Sequence, residues 1–163
     1  MTSFASEART AAHALPKGKR MLGLDLGTKT IGMATSDFTG QFATPRDTIR
    51  RTKFTEDAKL LLAFAEKEHI GLLLLGMPLN MDGSEGPRAQ ATRAFARNLS
   101  RLTPLPIVYW DERLSTAAVT RTMIEADMSR AKRAEIVDKL AAAHILQSFL
   151  DAVRSPPADF PTT

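Results

Sequence analysis

The chain of 163 residues contains no cysteine. Disulfides and thiolate-held metal centres, zinc of the cysteine type among them, are therefore excluded, and the composition fits a reducing cytosol. Long apolar runs are also missing: nothing approaches the roughly 20 residues of a membrane span. Residues 1–18 hold Arg, Ser and Ala but no continuous apolar stretch of a secretory signal. They read as a flexible extension, and the proline-rich end RSPPADFPTT, residues 154–163, as a loose tail. Internal repeats and low-complexity tracts are absent outside these ends. Tyrosine and tryptophan occur once each, adjacent as Tyr109 and Trp110 in an apolar segment, where core packing is expected over base stacking. What remains suits one domain over residues 19–153 with a single hydrophobic core.

The charge balance is basic, with 22 Lys and Arg against 18 Asp and Glu and a pI near 9.7. This leans towards a polyanionic partner; a net charge of +4 is also an ordinary solubility margin.

Residues 20–26 read as a strand, GTKT as a tight turn relieved by Gly27, and residues 31–36 as a second strand. FATPRDTIRR, residues 42–51, gives a third, with Pro45 marking an edge or a bend. The period then changes. Phe54, Ala58, Leu61, Leu62 and Ala65 recur at helical spacing behind Thr55 as the expected N-cap. The apolar run IGLLLLGMP, residues 70–78, reads as a strand covered on both faces. NMDGSEG is a loop, and Pro87 opens an amphipathic helix. LPIVYWDE is a further buried strand, STAAVTRTMIEADM a helix opened by Ser115 or Thr116, and residues 131–153 a long final helix. The order β-β-β-α-β-α-β-α-α predicts an α/β layer fold, with an antiparallel meander first and helix-linked parallel strands after it.

Acids occur where they are costly. Asp25 interrupts the apolar, glycine-rich first strand, where it could hold a metal, a nucleotide phosphate or neighbouring backbone. Strand alternation puts Gly23 and Asp25 on one face, and Trp110 and Glu112 on one face with Asp111 opposite. In the final helix, steps of three and four align Asp138 with Ala141, Ala142, Ile145 and Phe149, a small apolar stripe suited to packing on a sheet. Acids converging there would repel, and a divalent cation with oxygen ligands, Mg²⁺ or Mn²⁺, resolves that repulsion. For each acid alone, a cap or a salt bridge is the plain alternative. His144, about 120° from Asp138 around the helix, reads as a structural histidine.

Four segments, LGLDLGTKTIGMATSD, LLLLGMPLNMDGSEGPRAQATRAFA, VYWDERLST and VDKLAAAHILQSFLD, resemble the YqgF/RuvX family over about residues 20–152. Members are bacterial RNase H-like proteins described as pre-16S rRNA nucleases or Holliday junction resolvases. The resemblance implies an RNase H-like fold: a five-stranded mixed sheet, antiparallel strands then parallel ones, with helices on both faces. It also implies a catalytic and metal-binding trio, here Asp25, Glu112 and Asp138. Two positions depart from the pattern. Thr30 follows Lys29 where members often carry Arg, and Ala141 stands where resolvases of the wider superfamily commonly place a further acid.

The expected reaction is metal-assisted phosphodiester hydrolysis with two cations roughly 3.5–4 Å apart, Asp25 bridging. Lys29, Asn80, Ser84, Arg88 and Arg113 are the expected substrate contacts, Arg88 lying near a helix start suited to phosphate. Arg46, Arg50, Arg51 and Lys53 form a basic cluster that equally suits a solvated surface, and SRAKRAE, residues 129–135, a basic segment before Asp138. The expected partner is nucleic acid, precursor 16S rRNA or a four-way DNA junction, met in the cytoplasm by a monomer or homodimer. Two rivals stand. DLGTKTIG also resembles the first phosphate loop of the actin and sugar kinase superfamily, which needs two such domains. A non-catalytic nucleic-acid-binding factor on the same fold is the other.

Overall fold

The computed structural model describes residues 3–115 and 130–154, with side chains described over 3–115 and 140–154. The helix expected from Ser115 or Thr116, the side chains of the basic segment 129–135 and of Asp138, and the tail after Arg154 lie outside the described residues; the backbone of 130–135 belongs to the last helix.

Strands β1 (Arg20–Leu26), β2 (Thr30–Ser36) and β3 (Ala43–Arg50) form the antiparallel meander. Helix α2 (Phe54–Lys67) leads to β4 (Ile70–Met77), and helix α3 (Pro87–Ser100) to β5 (Ile107–Asp111). A single 3-10 turn, Glu112–Leu114, follows β5, and the last helix α4 spans Arg130–Arg154. The sheet order is β3-β2-β1-β4-β5, with β4 parallel to both β1 and β5. This is the expected mixed sheet, and β3, which carries Pro45, is an edge strand as that proline requires.

The sheet separates two apolar layers. Leu22, Leu24, Ile31, Met33, Leu73 and Leu75 point to the side of α2 and α3. Met21, Leu72, Leu74, Val108 and Trp110 point to the other side, where Ala141, Ala142, Ile145, Leu146 and Phe149 of α4 are buried against them. Every residue of β4 is buried, which is why its sequence is apolar almost throughout rather than alternating. The stripe on α4 behaves as its spacing predicts, each large apolar side chain contributing roughly 1.5–3 kcal/mol by leaving water. Trp110 and Phe149 meet edge to face at 5.2 Å, and the Trp110 indole donates to Ser148 at 3.1 Å. Trp110 is a core residue.

One local expectation is corrected. The N-cap of α2 is Lys53, not Thr55, and no side chain caps it. Instead the buried Asp57 carboxylate accepts from the Thr52 backbone N–H at 3.1 Å, holding the chain as it enters the helix.

The larger difference lies within residues 1–18, read from sequence as flexible. Phe4–His13 form a helix, α1, whose Ser3 hydroxyl accepts from the Ser6 N–H at 3.1 Å. Its Ala8 is fully buried, with Ala5, Ala11, Ala12 and Leu15 packed around the same core. The signal is present in the sequence: a serine cap, then alanines at steps of three and four. Small side chains bury little area each, so the stripe is faint, yet they let the helix approach the sheet closely.

Candidate catalytic site

Asp25 sits near the C-terminal end of β1, opposite Gly32 of β2 and fully buried. Its face of the sheet is the one that α4 crosses. A Cβ at Gly23, two residues earlier on that face, would lie 2.9 Å from Leu146 Cβ and 3.2 Å from the Ala142 carbonyl oxygen. Glycine is therefore what lets the helix backbone come this near the strand.

Glu112 is presented by β5. The strand stops at Asp111, whose carboxylate caps the 3-10 turn by accepting from the Arg113 N–H at 2.9 Å. Glu112 then turns inward, 6% exposed. A Cβ at Gly76 would stand 3.2 Å from Glu112 Cγ and 3.4 Å from its Oε2, so the missing side chain on β4 makes room for this carboxylate. Asp111 lies on the other side, paired with Arg113 at 2.7 Å, as alternation predicts. Two buried acids thus stand at the C-terminal ends of β1 and β5 on one face of the sheet. Asp138 belongs to α4, its side chain outside the described residues. Among the described residues, no group of three or more His, Cys, Asp or Glu is arranged to hold a metal ion.

The expected substrate contacts gather at this same end. Lys29 is exposed in the β1–β2 turn. Arg88, at the start of α3, donates to the Leu26 carbonyl at 3.1 Å. Arg51 donates to the Gly27 carbonyl at 2.7 Å, and its own N–H to the Lys29 carbonyl at 2.8 Å. Two guanidiniums therefore hold the turn that follows Asp25. Sequence reasoning set Arg51 only in a surface cluster; the pairing of the chain end of β3 with a hairpin turn, which gives it this place, is a tertiary fact. Arg46 of that cluster goes elsewhere, to Glu68 at 2.8 Å.

Asn80 and Ser84 build the loop after β4. Asn80 donates its amide to the Ser84 hydroxyl at 2.9 Å, and that hydroxyl donates to Asp82 at 2.6 Å, holding the Asp82 carboxyl below its ordinary value. Arg113 ties this loop to β5, donating to the Met81 carbonyl at 3.1 Å while Asp111 raises its own pKa. His144 is half-buried on α4.

Buried carboxylates at the ends of the central β1 and the edge strand β5, on a five-stranded mixed sheet packed between helices, define an RNase H-like α/β protein. The fold is shared with RuvC of Thermus thermophilus. Its structure in complex with Holliday junction substrate matches with a TM-score of 0.53 at 8% identity, over 84% of this chain and 97% of that one. A second Thermus thermophilus RuvC structure matches with a TM-score of 0.50 at 11% identity, over 83% and 97%. At such identities the likeness is one of fold. Sequence relatives are much nearer. A Paramagnetospirillum magneticum protein is 64% identical over 137 residues, 84% of this chain and 88% of its own. One from Methylocella silvestris is 62% identical over 141 residues, 86% and 88%. Both carry the name "Putative pre-16S rRNA nuclease". The model of the RuvX family, described as Holliday junction resolvase, matches residues 19–152. The chain belongs to the RuvX family, which is a nuclease family.

Proposed function

We propose that this protein is a metal-dependent endonuclease that trims the 5′ end of precursor 16S rRNA in the cytoplasm, with Asp25, Glu112 and Asp138 as its catalytic acids. The observation that carries the reading is the burial of Asp25 and Glu112 on one sheet face beneath α4. Carboxylates bound for the interior of a fold are costly unless charge is brought to them, and their oxygen donors suit Mg²⁺ or Mn²⁺. Asp138 comes from the family resemblance, and the course of the helix backbone supports it. Leu150 and Val153 lie by Met21, and Ala142 and Leu146 by Gly23. The helix thus runs against β1, and at 1.5 Å per residue the turn carrying residue 138 continues past Gly23 towards the Asp25 end.

Bound divalent cations, two with substrate in place, activate a water and stabilise the leaving oxygen in such sites. The chain itself supplies the rest. Gly76 leaves the room Glu112 needs, Arg51 and Arg88 fix the turn after Asp25, and Lys29 is the exposed cation nearest in sequence to that acid. Lys29, Asn80, Ser84, Arg88 and Arg113 border the strand ends where a phosphate backbone would run, so binding should weaken steeply with salt. The precursor-rRNA substrate is supported by the printed names of relatives about 60% identical.

The family description favours a second reading, cleavage of four-way DNA junctions, whose paired cuts call for a homodimer. The deciding experiment offers both substrates side by side, with Mg²⁺ and with Mn²⁺. Cutting of precursor rRNA at its 5′ end with junctions left intact supports the proposal; cutting of junctions alone, in symmetric pairs, replaces it with the second reading.

A further inference from the structure

Helix α1 precedes the residues matched by the family model, and with the edge of β5 and with α3 it walls a cleft of about 570 Å³. Phe4 opens the helix and reaches over the edge strand to Tyr109, ring centres 5.5 Å apart. The Arg93 guanidinium lies over both rings, 5.4 Å from Phe4 and 5.3 Å from Tyr109. Glu85 grips that guanidinium through both oxygens, at 2.7 and 2.6 Å, so the group of two tilted rings and one guanidinium is fixed and nearly neutral. Burial pushes the Tyr109 hydroxyl up, which keeps it protonated as a donor. The cleft is also lined by Arg113 and by Leu114, which is 58% exposed. These residues follow Glu112 directly, so the cleft adjoins the candidate catalytic end.

We propose that this cleft is a subsite for one unpaired nucleobase of the substrate strand, stacked against the Phe4–Tyr109–Arg93 group. The inference rests on the nucleic-acid substrate proposed above. Aromatic rings and arginine planes are how proteins hold splayed bases, and paired bases do not offer their faces. The volume lies within the roughly 300–1,000 Å³ of small-ligand sites. With Glu85 and Asp111 paired to Arg93 and Arg113, Glu7 is left to set the charge of the lining; it disfavours a phosphate there and suits a neutral ring carrying amino groups.

The test is binding without cleavage, in chelator, to single-stranded RNA carrying one 2-aminopurine and to the same sequence fully paired. Wild-type protein should quench the unpaired 2-aminopurine. Phe4→Ala should weaken single-strand binding roughly ten-fold, the scale of one lost base stack, and leave duplex binding unchanged, while Phe4→Tyr keeps wild-type affinity. Thermal melting shows whether each variant folds, and the wild-type quench reads stacking without any variant. Absence of quenching, unchanged affinity in folded Phe4→Ala, or equal losses on single strand and duplex would each overturn the subsite alone. If wild-type protein binds neither RNA, the nucleic-acid reading fails and the subsite with it.

Discussion

The two ends of the sheet handle buried charge in opposite ways. At the end where β1 and β4 begin, one carboxylate is met by two guanidiniums. Glu68 accepts from Arg20 at 2.6 Å and from Arg46 at 2.8 Å, and Arg46 above all holds its pKa down to about 2. Arg20 and Arg46 lie in addition over the rings of Phe38 and Phe64. At the end where β1 and β5 finish, two carboxylates are buried on one face, and three arginines brace the chain around them. Arg51 and Arg88 hold backbone carbonyls, and Arg113 holds Asp111. One end is a closed ion cluster that ties α2, β1 and β3 together. The other concentrates negative charge beside loops rich in cations, the arrangement that a divalent ion and a phosphate backbone would complete. Charge at the first end serves folding; at the second, the proposed function gives it to chemistry.

The sharpest way to break this comparison is to neutralise one acid at each end. Glu112→Gln should lower cleavage by more than about 100-fold, since even residues behind a metal ligand typically cost 10–100-fold, with little change in melting temperature. Glu68→Gln should do the reverse, costing about 1–2 kcal/mol of stability in a partly screened cluster while cleavage persists in the folded protein. Urea melts and single-turnover cleavage on both variants check the pair. Next in size, Gly76→Ala places a methyl group 3.2 Å from Glu112 Cγ and 2.5 Å from the flexible end of Ile145. Ile145 can rotate aside, whereas Glu112 loses its place, so cleavage should fall by about ten-fold, in line with small misplacements of a reacting group, and more than stability does. The smallest effect is acid dependence. The folded pKa of Glu68 lies below its ordinary 4.5, so its stabilisation is complete above pH 4.5 and is lost as pH falls towards about 2. Stability curves for wild type and Glu68→Gln should converge across that window.

Much of this was legible in the sequence because periodicity survives folding. The run IGLLLLGM reads as a doubly covered strand, and the Ala141, Ala142, Ile145 and Phe149 stripe as an inward helix face; both are buried as read. Alternation also separated Glu112 from Asp111. The family resemblance supplied what period alone could not, the expectation that acids from β1, β5 and the last helix share one site. Other features stayed hidden for physical reasons. Helix α1 buries alanines, which carry too little hydrophobic signal to stand out from a polar segment. Arg46 on β3 and Arg51 just past its end lie five residues apart and run to opposite ends of the sheet, a division set by what packs above each. Arg93 over the rings of Phe4 and Tyr109 joins segments whose proximity no local pattern encodes.

The most direct measurement is on Asp25→Asn, with Mn²⁺ binding followed by calorimetry, precursor-RNA cleavage in single turnover and the melting temperature recorded on one preparation. The account predicts a folded protein, melting within a few degrees of wild type by roughly the scale of a sub-kilocalorie change, that has lost both Mn²⁺ binding and cleavage. A folded Asp25→Asn protein that cuts at the wild-type rate would contradict it.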